Sequence, residues 1–227
     1  MLENDRTFVI PGQKISEAGN TECNLNCYFE DNAIISSVVG LAKFEGSRGN
    51  NIVNVIPSSG VYIPKPDDVV LAIIKREHST CFELDINSPY ECILLKEEFH
   101  ENRKLIRREQ EEKFKVGDLL SVKILSVNEI NFSQAIKPWK LEVARVLEVN
   151  PKRVPRIIGR KKSMLSLLRE KTKCNIIVGQ NGRVWIKGKN EELAVRVIEK
   201  IVEEALTQGL TDRIEKFLDK EISAMEK

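Results

Sequence analysis

The 227-residue sequence predicts a multidomain α+β protein: a small N-terminal all-β domain, an OB-type barrel of five short strands, a mixed domain of helices and strands, and a C-terminal helix. Three observations predict it. Up to about residue 60, short apolar runs alternate with turn residues and no helical period is visible. Five strand-like runs follow, with a longer charged connection between the third and fourth. From Pro151 onward, apolar residues recur at helical spacing on both sides of a strand pair.

The first domain is expected over residues 1–61. Phe8-Val9-Ile10 runs into the turn dipeptide Pro11-Gly12, and Cys27-Tyr28-Phe29 is joined through Asp31-Asn32 to Ala33–Val39 as a hairpin. Leu41–Phe44 and Asn51–Ile56 flank the turn-rich stretch Gly46–Asn51. The second domain, 62–138, opens with the strand Val69–Ile74 and the polar loop Lys75–Thr80. Phe82–Ile86 alternates with period two, as a half-buried strand does, and Ser88-Pro89 turns the chain into Tyr90–Leu95. Residues 96–115 read as a short helix or a loop, and the six acidic and six basic residues from Glu97 to Lys115 cancel, as on a solvated segment. Leu119–Val127 and Ile130–Ile136 complete the barrel.

The third domain is expected over 139–208. Leu141–Val149 is a strand, and Pro151–Ile158 a short helix with proline in its first turn. Ser163–Lys173 is helical, with Met164, Leu165, Leu167 and Leu168 on its apolar side. Cys174–Val178 and Arg183–Lys187 are strands across the turn Gly179-Gln180-Asn181-Gly182, and Glu191–Thr207 is a second long helix. Residues 209–227 form an amphipathic tail helix, with Thr211 or Asp212 as its cap. Strand, helix, glycine loop, helix, strand, strand, helix is the element order of a KH domain, whose loop lies between the first two helices.

Composition narrows the class. A hydrophobic fraction of 41% with 31% charged residues suits a soluble globular chain with real cores. No apolar run approaches a membrane span, and the N-terminus lacks a secretion pattern, so a cytoplasmic protein with no membrane partner is the expectation. Five irregularly spaced cysteines fit reduced thiols rather than a disulfide framework. Cys23 and Cys27 form a pair, but two lone histidines do not complete a four-ligand zinc site, so neither a metal nor a cofactor is expected. Catalysis has no support either: there is no Walker loop, no H-E-x-x-H, and no Ser/His/Asp or Cys/His set.

What stands out is charge. The chain carries a net charge of +2, yet residues 151–190 hold twelve Lys/Arg against one Glu. A localised basic field suggests a polyanion bound at one place. Its centre is Lys152, Arg153, Arg156, Gly159, Arg160, Lys161 and Lys162. A glycine in such a turn lets backbone N–H groups approach phosphates, and the following helix start adds a favourable partial charge. A KH loop has the form G-x-x-G, whereas here Lys162 stands at the second glycine, which adds charge and restricts the backbone. In the barrel, Lys75, Arg76, His78 and Lys123 are candidate phosphate contacts. Phe82 is either a stacking platform or a core residue; Tyr90 reads as structural, and Trp139 and Trp185 as packing anchors.

In joint order, several stretches resemble the RNA-binding cap subunit of the archaeal exosome, the KH-containing type also found in the eukaryotic complex. They are Ile10-Pro11-Gly12, Tyr62-Ile63-Pro64, Asp68-Val69-Val70, Leu84-Asp85-Ile86-Asn87-Ser88-Pro89-Tyr90, Val116-Gly117-Asp118, Asn150–Gly159, Val178–Gly182 and Gly209–Arg213. The resemblance implies an N-terminal domain that docks on a ring, a barrel of the ribosomal S-one type, and a KH domain. It further implies a non-catalytic cap, three copies on a ring of RNase-PH-like subunits, that guides single-stranded RNA with A-rich tails toward 3′-to-5′ degradation. Asp67 stands where a glycine commonly precedes Asp68, a second departure. Two other readings stay open: a free-standing OB/KH RNA-binding protein in translation or ribosome maturation, and a nuclease in its own right.

Overall fold

A computed structural model describes residues 7–96 and 114–225, apart from 18, 20, 48, 49, 206 and 208. Most of the charged connection expected at 96–115 lies outside these residues. The chain forms two compact units, Met1–Gly60 and Val61–Lys227.

The first unit is built from β1 (Thr7–Val9), β2 (Lys14–Glu17), β3 (Thr21–Leu25), β4 (Cys27–Glu30), β5 (Ala33–Ser36), β6 (Gly40–Ser47) and β7 (Asn50–Pro57). They form two sheets, in the orders β1-β6-β7-β3 and β2-β5-β4. Val9, Ile15, Ile34, Ala42, Val53 and Val55 make the core. The expected hairpin joins β4 and β5, with Asp31 and Asn32 both at positive φ (44° and 59°). Asp and Asn tolerate that conformation, and two such residues twist a hairpin correctly. Asn26 (φ 57°) turns the corner between β3 and β4, where the chain leaves one sheet for the other. That corner corrects the expectation of reduced thiols throughout: Cys23 and Cys27 are joined as a disulfide, their Cα atoms 5.8 Å apart. Cys81, Cys92 and Cys174 are free.

The second unit opens with a closed barrel of β8 (Val69–Glu77), β9 (Cys81–Asp85), β10 (Cys92–Leu95), β11 (Leu119–Val127) and β12 (Ser133–Lys140), in the order β10-β12-β11-β8-β9. Alternation fills it: Phe82 and Leu84 of β9, Cys92 and Leu94 of β10, and Leu120, Val122 and Ile124 of β11 all point inward. Several boundaries differ from the sequence reading by one to four residues, two of them at residues that carry charge or an aromatic ring. β8 runs on through Lys75-Arg76-Glu77, because pairing with β9 outlasts its apolar run. β12 ends at Lys140 rather than 136, so Trp139 is a barrel residue.

Beyond the barrel lie β13 (Arg145–Glu148), a 3-10 turn at Pro151–Arg153, α1 (Val154–Ile158), a second 3-10 turn at Arg160–Lys162, α2 (Ser163–Thr172), β14 (Cys174–Val178), β15 (Arg183–Gly188), α3 (Glu191–Glu203) and α4 (Leu210–Met225). The sheet is antiparallel in the order β13-β15-β14. The helices share one core with it: Ile157 of α1, Leu168 of α2, Ile176 and Ile186 of the sheet, and Val197 and Ile201 of α3. α4 belongs to the same core through Leu210, Ile214 and Leu218, and is tied by ion pairs from Lys171 to Asp219 (2.6 Å) and from Arg196 to Glu221 (2.9 Å). Because α4 starts at Leu210, Thr211 and Asp212 lie inside its first turn rather than capping it.

The β14–β15 hairpin tip locks this domain to the barrel. Asn181 is fully buried; its Nδ2 donates to the carbonyls of Leu71 and Ile86 (2.8 Å each), and its Oδ1 accepts from Leu71 N (3.2 Å). Gln180 exchanges two hydrogen bonds with the backbone of Val69. Buried Arg183 donates to the Asp85 carbonyl (2.6 Å) and carboxylate (2.8 Å) and to Glu148 (2.9 Å). Asp85 is held below the usual carboxylate range: burial raises it, but the hydrogen bond from Arg183 and that from Asn87 N outweigh burial. Gly179 packs so closely that a Cβ there would sit 2.8 Å from Leu71 N. A buried polar group left without its partner costs about 1–3 kcal/mol, so this seam works only as a fully satisfied set.

Candidate nucleic-acid interface

The basic turn between α1 and α2 is assembled by local chemistry. Asn150 starts it, its side chain accepting from Lys152 N (3.0 Å). Gly159 ends α1 at φ 73°, ψ 171°, and a Cβ there would lie 2.7 Å from Met164 N. That glycine is fixed both by conformation and by the close approach of α2. Lys161 and Lys162 follow at φ 48° and 64°. Lys162 thus adopts the left-handed conformation its missing glycine would take, at a backbone cost of about 1–2 kcal/mol. It precedes α2 without a side-chain cap, so the first N–H groups of that helix have no side-chain acceptor from it.

Around this turn Arg160, Lys161 and Lys162 are exposed, and Lys152, Arg153 and Arg156 half-buried. Among the described residues, no carboxylate pairs with any of the six. Burial, and to a lesser degree the neighbouring Arg156 guanidinium, pull Arg153 below its ordinary value. A bound anion would offset both the burial of Arg153 and the Arg156 charge beside it. Other cations of the basic stretch are committed elsewhere: Arg183 to the seam, Lys171 to Asp219, Lys187 to Glu142, and Arg169 to the Ile176 carbonyl. Lys173 and Lys189 are exposed and unpaired among the described residues but lie apart from the turn in sequence, so the densest part of the field read from residues 151–190 is at residues 152–162.

The barrel candidates sit differently. Lys75 (3.3 Å), Arg76 (2.8 Å) and His78 (3.8 Å) converge on one carboxylate, Glu83. Burial raises Glu83, but the Lys75 and Arg76 cations overcome it and hold the group low. Lys123 pairs with Asp67 (2.6 Å), whose φ of 70° is the conformation a glycine would accept there. Phe82 is 5% exposed and packs in the barrel core, with the Lys96 ammonium 5.0 Å from its ring centroid. It is a core aromatic, not a stacking platform, because its place in β9 alternates inward. The two tryptophans diverge. Trp185 anchors packing as expected, its Nε1 donating to the Glu142 carbonyl (3.0 Å), whereas Trp139 is 70% exposed.

Sequence reading missed the seam residues Asn181 and Arg183. Their one signal was an asparagine in a glycine turn followed by an arginine at the start of a strand, which reads equally well as an ordinary hairpin. No helix of the described residues is long and apolar enough to cross a membrane.

Comparison with known proteins agrees with this architecture. A KH-domain family model matches residues 145–192, from β13 to the start of α3. The chain is 39% identical to the exosome complex component Rrp4 of Methanothermus fervidus, over 98% of this chain and 99% of that one. It is 36% identical to the Rrp4 of Thermococcus kodakarensis, over 94% of this chain and 85% of the relative. A crystal structure described as that of an exosome complex RNA-binding protein superposes with a TM-score of 0.63 at 34% identity, covering 73% of this chain and 99% of that chain. With near-complete coverage at this identity, the protein belongs to the family of exosome complex component Rrp4.

Proposed function

We propose that this chain is a non-catalytic, RNA-binding cap of an exosome. It docks on a ring of RNase-PH-like subunits, in three copies, and feeds 3′ ends of single-stranded RNA, A-rich tails preferred, toward 3′-to-5′ degradation in the cytoplasm. The observation that carries RNA binding is the turn of six cations without carboxylate partners, set between two helices of a KH fold. Lys152, Arg153, Arg156, Arg160, Lys161 and Lys162 contact phosphates, and Gly159 shapes the turn; Lys75, Arg76, His78 and Lys123 of the barrel are secondary contacts, weakened by Glu83 and Asp67. Phosphate contacts position RNA without reading its bases.

Residues 1–61 are the docking domain, with the nucleic-acid load on 62–138 and 139–208 and the tail 209–227 bracing the KH core. Two features support that division. Residues 1–60 carry four Lys/Arg against seven Asp/Glu, so they repel RNA. They also expose Phe8, Ile10, Leu25 and Phe29, which suits burial against a protein.

Two preparations test the reading: the full chain, and a chain lacking residues 1–60, each run with ring subunits on size exclusion and titrated with labelled oligoadenylate. The full chain should co-elute with the ring, bind RNA, and release no nucleotides alone. The truncated chain should lose the ring and keep the RNA. Nucleotide release by the pure chain, abolished by a substitution within it, would overturn the non-catalytic assignment.

A further inference from the structure

The two tryptophans of this chain have opposite fates, and the backbone around Trp139 is shaped to produce its exposure. In β12, Ser133 and Ala135 point into the barrel, so simple alternation would send residues 137 and 139 inward as well. Instead the register against β11 slips: Lys123 pairs with Ile136, but Ser121 pairs with Trp139, leaving one extra residue on β12. The bulge contains Lys137, held at φ 52°, a conformation a lysine seldom adopts. Lys137 steps out, Pro138 takes the inward place, and Trp139 is turned to the surface, 70% exposed. Bulges that re-aim a side chain are concentrated at functional sites.

The position is specific. Leu71, Ser121 and Trp139 form one row across β8, β11 and β12, on one face of the sheet. Leu71 is the residue that Asn181 of the hairpin tip covers, so Trp139 stands on the same outer face of the barrel, two strands from the seam. Cations lie near it along the chain, Lys137 two residues before it and Arg145 six residues after it. Lys137 and Arg145 are exposed and without an ion-pair partner among the described residues. The carboxylates near in sequence are engaged, Asp118 with Lys140 (2.5 Å) and Glu142 with Lys187.

We propose that Trp139 is a stacking platform for an unpaired base of single-stranded RNA, with Lys137 and Arg145 serving its flanking phosphates. An exposed flat indole, with exposed cations close by in the chain, suits a base and its phosphates better than an apolar protein surface, which would desolvate those cations. The inference rests on the RNA-binding reading and deepens it.

The test uses the full chain and a labelled oligoadenylate. In a Trp185→Phe background, Trp139 is the sole tryptophan, and its emission should be quenched on titration. Trp139→Ala should lower affinity about tenfold while leaving the salt slope unchanged, because stacking neutralises no phosphate; Trp139→Phe should recover most of the loss. Unquenched emission with unchanged affinity of Trp139→Ala, in a protein that still binds RNA, would overturn the platform and leave the RNA reading intact. Absence of RNA binding by the unsubstituted chain would sink both. Loss of ring association in Trp139→Ala with RNA affinity unchanged would mark a protein contact instead. If Trp185→Phe fails to fold, the affinities and salt slopes of the Ala and Phe variants at Trp139 decide the matter.

Discussion

The barrel and the α1–α2 turn carry the same residue types but are not equivalent surfaces. At the end of β8, Lys75, Arg76 and His78 surround Glu83, and at its start Lys123 is paired with Asp67. At the turn, six cations stand together with no carboxylate partner among the described residues, and two of them, Lys161 and Lys162, are in a left-handed conformation. A paired cation must break its bridge before it can serve a phosphate, whereas an unpaired one gains an interaction outright. Counting Lys and Arg therefore overstates the barrel and understates the turn.

Both surfaces belong to one compact unit, Val61–Lys227, whose two parts meet at the seam around Asn181. Asn181→Leu removes three side-chain hydrogen bonds, strands Leu71 N and the Ile86 carbonyl, and leaves the Leu71 carbonyl only a long bond from Arg183 (3.4 Å). Stability should fall by about 3 kcal/mol or more, read from the urea midpoint. An unchanged midpoint would mean that the hairpin tip does not hold the two parts together.

Next in size is the turn. Replacing Arg160, Lys161 and Lys162 with Ala should cost roughly tenfold or more in RNA affinity at moderate salt. The slope of log affinity against log salt should drop by about 2, since each single-strand phosphate contact contributes about 0.7. The loss should be similar for every RNA sequence; a loss confined to one sequence would show base reading instead.

A smaller effect of opposite sign belongs to the barrel. Glu83→Gln frees Lys75 and Arg76, so RNA affinity should rise by about threefold at low salt and the salt slope steepen. If affinity falls, Glu83 positions those cations rather than silencing them.

Smallest is the response to acid. The native carboxyl of Asp85 titrates below its ordinary value of 3.8, so its contribution to the seam is complete above that value. It is lost as pH falls through the lower native value. Stability of Asp85→Asn should therefore depend less on pH than that of the parent below about pH 4. Parallel curves for the two proteins would remove Asp85 from the seam's electrostatics.

Much of the architecture was legible along the chain because it rests on local periods. Period-two runs gave β9 and β11 nearly as observed, and apolar residues at helical spacing gave α2 and α3. Asp31-Asn32 marked its hairpin, and the glycine before Arg160 marked the turn. Boundaries slipped where pairing, not composition, ended a strand, as at Lys75–Glu77.

The order of barrel and KH domain, the inward and outward faces of most strands, and the place of the basic stretch are all written in local spacing. These follow from residues within a few positions of each other, whose spacing alone decides which face they share. Tertiary structure decided which charges remain free, and that is a property of distant partners: Arg183 finds Asp85, Lys171 finds Asp219, and Glu83 gathers cations from another strand. It also decided that Phe82 faces inward, that Cys23 meets Cys27 at a corner, and that Asn181 is buried in the seam. One bulged residue, Lys137, sends Trp139 outward, and no period in the sequence records it, because a bulge exists only against the register of a partner strand.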